Sequence, residues 1–389
     1  MKITAIRATP VNVPYRASAL MSAGRNDCST RTIIEVETDA GLTGLGEASY
    51  GYAAQIIERD FAPALIGLDP HRGSAVLKRY CLPDHLDFGT PVLKVRLAAW
   101  GGIDIALWDI LAQAADVPLY EMLGGAVRAQ AEFVAYAYSP PDGESASAQM
   151  ASAARAAVAA SGARIFEFKV GVHSLEVDIV TVKTVHRALG GAVQLAIDAN
   201  MCWSHRDARR FLNEVAPLLE NAEEPVASVA EMQQLADEFN VNVSTHCTDP
   251  DAMLSHRRVG AVPTLDAAGG ITGIRTLART LGTGGRRIWL RSHAEAGIGW
   301  AAIVHLGMST PELARPAQSL MDLIAEDLIT GGRWEVRNGG VRAPSTAGLG
   351  VSLDRVALRA CHALYLEQGE VLAFPPALSR ARNHPTSSA

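Results

Sequence analysis

The sequence predicts an α/β protein, a modified (β/α)8-type TIM barrel with an N-terminal α+β capping domain. Three observations carry this. From residue 131 onward, short apolar runs alternate with amphipathic stretches about eight times, the rhythm of a closed parallel barrel. The first 125 residues read differently, with strands first and helices after. Six of the later strands also end on a polar or charged residue at regular spacing.

The elements follow in order. ITAIRATPVNV alternates as a strand, and the polar stretch SAGRNDCSTR after it is expected to form a loop around Arg25–Cys28. TIIEVETDAGLTGLGEASYG gives a second strand, a turn at Asp39-Ala40-Gly41 and a return strand ending near Glu47. RLAAWGGIDIALWDILAQAADV carries apolar residues on one broad face and stops before Pro118, as a helix does. The glycine pair Gly124-Gly125 closes LYEMLGG and marks a domain boundary. The expected organisation is a capping domain over 1–125 and a barrel over 126–355. A segment over 356–389 returns to the cap and ends in the frayed tail SRARNHPTSSA. The barrel strands are EFVAYAYS, RIFEFKVG, VQLAIDAN, NAEEP, VNVSTHC, AVPTLDA, RIWLRSH and, more weakly patterned, PAQSLM.

Composition narrows the function. A chain of 389 residues that is 48% hydrophobic and 20% charged can bury a substantial core, which excludes global disorder. With 35 basic against 41 acidic residues there is no excess to neutralise phosphates, so nucleic acid is not the expected partner. No run of about 18 apolar residues exists, so no membrane span is expected. The five cysteines are scattered and odd in number, and the N-terminus lacks a signal-peptide core. Reduced thiols and a cytoplasmic location are therefore expected. The glycine-rich stretches GLTGLG, AAGG and GTGG lack phosphate-cradle spacing and read as turns.

The chemistry lies where the strands stop. Lys169, Asp198, Glu223, His246, Asp266 and His293 follow one another at 29, 25, 23, 20 and 27 residues, about one βα unit each. In a barrel all six face the C-terminal mouth, where barrel active sites sit. Any one of them could simply be a loop start or helix cap; six in series is harder to explain that way. Asp198, Glu223 and one of Glu224, His246 or Cys247 come from three consecutive strands. Two hard carboxylates with a third donor suit a divalent cation such as Mg²⁺. Lys169 and His293 would flank that cation, an arrangement suited to removing a proton next to a carboxylate.

At this point the residues resemble a known family. TIIEVETDAGLTGLGE, GGIDIALWDILAQAADVPLYEMLGG, FKVG, AIDAN, EEP and LRSH are similar to the enolase superfamily in its mandelate racemase/muconate lactonizing enzyme branch. FKVGV followed by STHC and SH looks nearest to glucarate-dehydratase-like acid-sugar dehydratases. The resemblance implies a metal-dependent lyase that abstracts the proton α to a carboxylate of an acid sugar or similar hydroxy acid. A racemase, epimerase or cycloisomerase of the same superfamily, or a barrel that lost catalysis and binds, are the alternatives. It also implies a small carboxylate substrate and a homo-oligomer.

Residue by residue, Asp198 and Glu223 match the family's first two metal ligands, and His246 stands at the third. Lys169 matches the second lysine of the KxK motif. His293 matches the histidine after the seventh strand, Asp266 the aspartate that orients it, and Asn200 a position near substrate. Two departures bear on mechanism. Glu167 stands where the first lysine would be, two positions from Lys169 and on the same face, so it is expected near the substrate and expected to keep Lys169 protonated. His293 then becomes the principal base. A histidine at the third ligand position shifts preference from Mg²⁺ toward Mn²⁺ or Zn²⁺.

Overall fold

The computed structural model describes residues 1–73, 76, 91–313 and 315–371. The expected tail SRARNHPTSSA and Cys81 lie outside the described residues.

The N-terminal region is a three-stranded antiparallel sheet, β1 (Ile3–Met21), β2 (Gly24–Thr38) and β3 (Thr43–Ser49), in that order. The stretch expected as a loop is strand instead. Ala19 pairs with Asn26, Leu20 with Arg25 and Met21 with Gly24, beyond a register shift between Pro14 and Ala19. Its polarity misled because Asn26, Ser29, Thr30 and Arg31 are buried at the wall of a cavity, where polar side chains are not exposed to bulk water.

The GLTGLG run is also more than a turn. Gly41 does make the turn, at φ +75°, but Gly44 and Gly46 lie inside β3. A Cβ on Gly44 would sit 2.1 Å from the Ala106 carbonyl oxygen, and one on Gly46 2.0 Å from that of Gly102. These glycines let the long helix Pro91–Ala114 lie directly on the strand. Ile34, Val36, Phe61, Trp100 and Ile103 fill the core between them, with Phe61 edge-on to Trp100 at 5.7 Å.

The barrel follows the expected alternation. Strands β5 (Ala135–Ala137), β6 (Ile165–Lys169), β7 (Gln194–Asp198), β8 (Leu219–Glu223), β9 (Val243–Thr245) and β10 (Val259–Ala261) form one parallel sheet in sequence order. Before it, β4 (Ala131–Glu132) pairs with β11 (Gly340–Val341). RIWLRSH and PAQSLM complete the circle by isolated bridges. Ile288 pairs with Ala261, the Gln318 N–H donates to the Leu290 carbonyl at 3.1 Å, and Ala317 pairs with Phe133. The crossover helices include Leu175–Leu189, His205–Val215 and Val229–Phe239. Ser174, Ser204 and Ser228 cap them, each accepting a bond from the N–H three residues on.

Cap and barrel share a buried joint. Glu47 of β3 accepts from the Ala296 and Gly299 N–H groups at 2.7 and 2.8 Å, at the start of helix Gly297–Ser309. The same carboxylate accepts from Arg31 Nε at 2.7 Å. The helix Arg355–Gln368 packs back on β1, where His362 Nδ1 meets the Pro10 carbonyl at 2.7 Å. Among the described residues no helix is long and apolar enough to cross a membrane. Cys28, Cys202, Cys247 and Cys361 are free thiols.

Candidate active site

Strand register builds the site. Lys169 lies opposite Asp198 across the β6–β7 pair, and Asp198 opposite Glu223 across β7–β8. Glu223 in turn faces Ser244 across β8–β9, and His246 stands two residues beyond Ser244 on the same face. Side chains far apart in sequence thus meet at one level of the barrel. The chain bends sharply just past them: Asn200, Met201, Glu224 and Ala294 adopt φ of +47°, +57°, +43° and +54°. Such conformations are costly for residues with a Cβ and cluster at functional sites.

Above this level lies a cavity of about 500 Å³ between barrel and cap. Lys169, Asn200, His246, Asp266 and His293 line it, as expected from sequence. Tyr15, Ser49, Tyr50, Tyr136, Tyr138 and Arg291 complete much of the wall. Asp198, Glu223 and Glu167 are buried and lie outside that lining. Glu167 is therefore not positioned as the substrate contact the sequence suggested. Two residues nearer the strand's start, it lies about 7 Å deeper along the barrel than Lys169. There it accepts from Gln318 Nε2 at 2.6 Å and faces Arg315 at 3.9 Å.

His293 and Asp266 form the expected pair. Nδ1 of the imidazole lies 2.9 Å from Asp266 Oδ2 and 3.2 Å from Ser49 Oγ. The carboxylate can only accept, so Nδ1 carries a proton, and in the neutral ring Nε2 is the nitrogen with the lone pair. Burial opposes the charge on Asp266, yet the adjoining His293, with Thr264 and Arg31, holds it well below the ordinary carboxylate range. Arg31 Nη1 donates to the His293 carbonyl at 3.2 Å, and Tyr50 packs edge-on to the imidazole at 5.9 Å. Cap residues thus fix the histidine from outside the barrel.

Across the mouth, Lys169 Nζ donates to Asp198 Oδ2 at 2.5 Å and to Asn200 Oδ1 at 2.6 Å. Its proton affinity departs from expectation. Burial lowers it, Asp198 opposes that, and Arg291 lowers it again, leaving the ammonium below its ordinary value. The expected dominance of Glu167 fails because that carboxylate is turned to Gln318 and Arg315.

The three expected metal ligands do converge, but on the guanidinium of Arg291. Nη2 lies 2.7 Å from Asp198 Oδ2, and Nη1 meets both Glu223 Oε1 and His246 Nε2. Burial opposes the arginine's charge, but Asp198 and Glu223 hold its proton more firmly than usual. Glu224, an alternative third ligand, accepts from the Thr245 hydroxyl and the His246 N–H at 3.1 and 3.0 Å. Cys247 packs against the apolar core. Among the described residues no three His, Cys, Asp or Glu side chains are arranged to hold a metal ion. The donor set as folded therefore does not fit a divalent cation. Arg291 is not among the six strand-end residues read from the sequence. The overlooked signal is parity: Arg291 stands two residues before His293 and so shares its face.

Fold and site together define a capped α/β-barrel enzyme. The chain belongs to the enolase superfamily, in its mandelate racemase/muconate lactonizing enzyme branch. Residues 149–357 match the family model described as enolase C-terminal domain-like. Residues 3–124 match the N-terminal domain of mandelate racemase/muconate lactonizing enzymes. A probable glucarate dehydratase of Streptomyces coelicolor is 28% identical, over 96% of this chain and 94% of its own. The crystal structure of an enolase from Streptomyces coelicolor superposes with a TM-score of 0.86 at 29% identity, covering 95% and 99% of the two chains. An enolase of Pseudomonas fluorescens, solved with magnesium, potassium and tartrate, gives 0.83 at 26% identity, covering 95% and 93%. Relatives at 26% identity include an epimerase and a cycloisomerase, so membership fixes the superfamily and not the reaction.

Proposed function

We propose that the chain is a dehydratase-type lyase acting on an acid sugar or similar hydroxy acid. The observation that carries this is the Asp266–His293 pair, in which Asp266 holds Nδ1 and leaves Nε2 as the nitrogen free for proton transfer, in the wall of a cavity large enough for such a substrate. His293 takes the proton α to the carboxylate, and the electron pair left behind forms an enediolate. The β-hydroxyl then departs as water, taking a proton from the imidazolium, and the enol becomes a 2-keto-3-deoxy acid. Lys169, opposite in the same cavity, offers an ammonium to the substrate's carboxylate, and Asn200 holds that ammonium in place. The cap closes the site from above through Tyr50 and Ser49.

Small carboxylates are the ligands seen in related structures, tartrate among them, which supports the substrate class. The Mg²⁺ of those relatives, and the Mn²⁺ or Zn²⁺ that a histidine ligand favours, have no role in this reading, because Asp198, Glu223 and His246 are engaged by Arg291. A racemase or epimerase needs a second base, and Lys169 is tied to Asp198 by a buried ion pair.

The test is a panel of acid sugars and hydroxy acids, followed by NMR for loss of the α-proton and by assay for 2-keto acid. Turnover should fall by about 10²–10⁴-fold in His293→Asn. Retained turnover in His293→Asn, with loss in Lys169→Met, would reverse the assignment. A chain inert to the whole panel that still binds a hydroxy acid would favour a binding protein.

A further inference from the structure

We propose that Arg291 is a built-in replacement for the divalent cation, so that this barrel recruits no metal and stabilises the developing negative charge with a guanidinium. The use of that charge rests on the reaction proposed above; the exclusion of metal does not.

The donor atoms are already satisfied. Asp198 Oδ1 accepts from the Asn200 N–H at 2.8 Å. Its Oδ2 receives both Lys169 Nζ at 2.5 Å and Arg291 Nη2 at 2.7 Å. The oxygen of Asp198 that faces the cluster is thus shared by two cationic groups. Arg291 Nη1 engages Glu223 Oε1 and His246 Nε2 together. The histidine is set up to accept that bond: its Nδ1 lies 3.1 Å from the Val262 carbonyl, which can only accept, so Nδ1 carries the hydrogen. One arginine thus meets all three side chains expected as ligands, Asp198, Glu223 and His246.

Position agrees with this. Asp198, Glu223 and the neighbouring Glu224 surround two cations already in place, Lys169 and Arg291, in one buried cluster. Asp198 and Glu223 lie below the cavity lining, whereas Arg291 is part of it. Its fork is held by the acids and the histidine, so what it offers the cavity is its fixed charge, and its place two residues before His293 sets that charge beside the base.

The experiment uses the full chain, purified without chelator and titrated with Mn²⁺ by EPR and with Mg²⁺ by calorimetry and thermal unfolding. The wild type should show no saturable site and no rise in Tm with millimolar Mg²⁺. Arg291→Ala, which frees the acids, should gain a saturable Mn²⁺ site that Asp198→Asn in the same background removes. It should also gain several degrees in Tm on adding Mg²⁺. Should Arg291→Ala not fold, the wild-type titration decides by itself. Stoichiometric Mn²⁺ in the wild type, lost in Asp198→Asn, would overturn the proposal. These readouts need no substrate, so they stand or fall separately from the dehydratase assignment. If turnover is found, it should survive EDTA, and Arg291→Met should lower it by about 10²–10³-fold.

Discussion

Asp266 and His293 separate what a carboxylate does to a histidine from what a metal would do. The carboxylate fixes the tautomer, so replacing it by an amide lets the ring present the wrong nitrogen. Asp266→Asn should therefore lower kcat by about 10²–10⁴-fold while changing KM little, a split that steady-state kinetics with the substrate found by the panel would read. An unchanged kcat would mean that Ser49, 3.2 Å from the same nitrogen, orients the ring instead. Both residues were legible in the sequence, because each follows an apolar strand. The role of Glu167 was not: spacing places it on the same face as Lys169, but depth along the barrel removes it from the cavity.

At the scale of elements, helix Gly297–Ser309 carries a fully buried titratable group. His305 is completely buried, its Nδ1 accepts from the Tyr120 N–H at 3.0 Å, and its Nε2 donates to the Leu349 carbonyl at 3.1 Å. Burial pushes it down to about 4 from 6.5. Neutral His305 therefore stabilises the fold above about pH 6.5, and that stability is lost as the pH falls toward 4. The shift corresponds to roughly 3 kcal/mol at the acid end. His305→Gln, which retains one donor and one acceptor, should flatten the change in urea midpoint between pH 7 and pH 4.5; an unaltered acid limb would assign the loss to other groups. The elements were read well where periodicity is local, as in β6 to β9. They were misread where polarity had a distant cause, as in the β1–β2 ribbon, whose Ser29 and Thr30 line the cavity.

Over the whole molecule, the cap is tied to the barrel through a buried ion pair. Arg31 and Glu47 are 3% exposed each, and Glu47 also accepts two N–H groups from the barrel. Removing one partner leaves the other charged and buried. Glu47→Ala should cost about 3–5 kcal/mol by denaturant unfolding, and Glu47→Gln, which keeps an acceptor, should cost less. Equal losses would mean that the joint depends on packing and not on charge. Because Arg31 also holds the His293 backbone, Glu47→Gln is expected to impair the base as well as the joint.

Taken by itself, the amino-acid order determined the barrel, its cap and the polar residues at the strand ends, since helical and strand periodicity and turn chemistry act over a few residues at a time. What it left open was the partner each of those residues takes. Arg291, Asp198, Glu223 and His246 come from four separate strand ends, and only closure of the barrel sets them at one level. Layer and register, both products of long-range pairing, decided that the acids face a guanidinium.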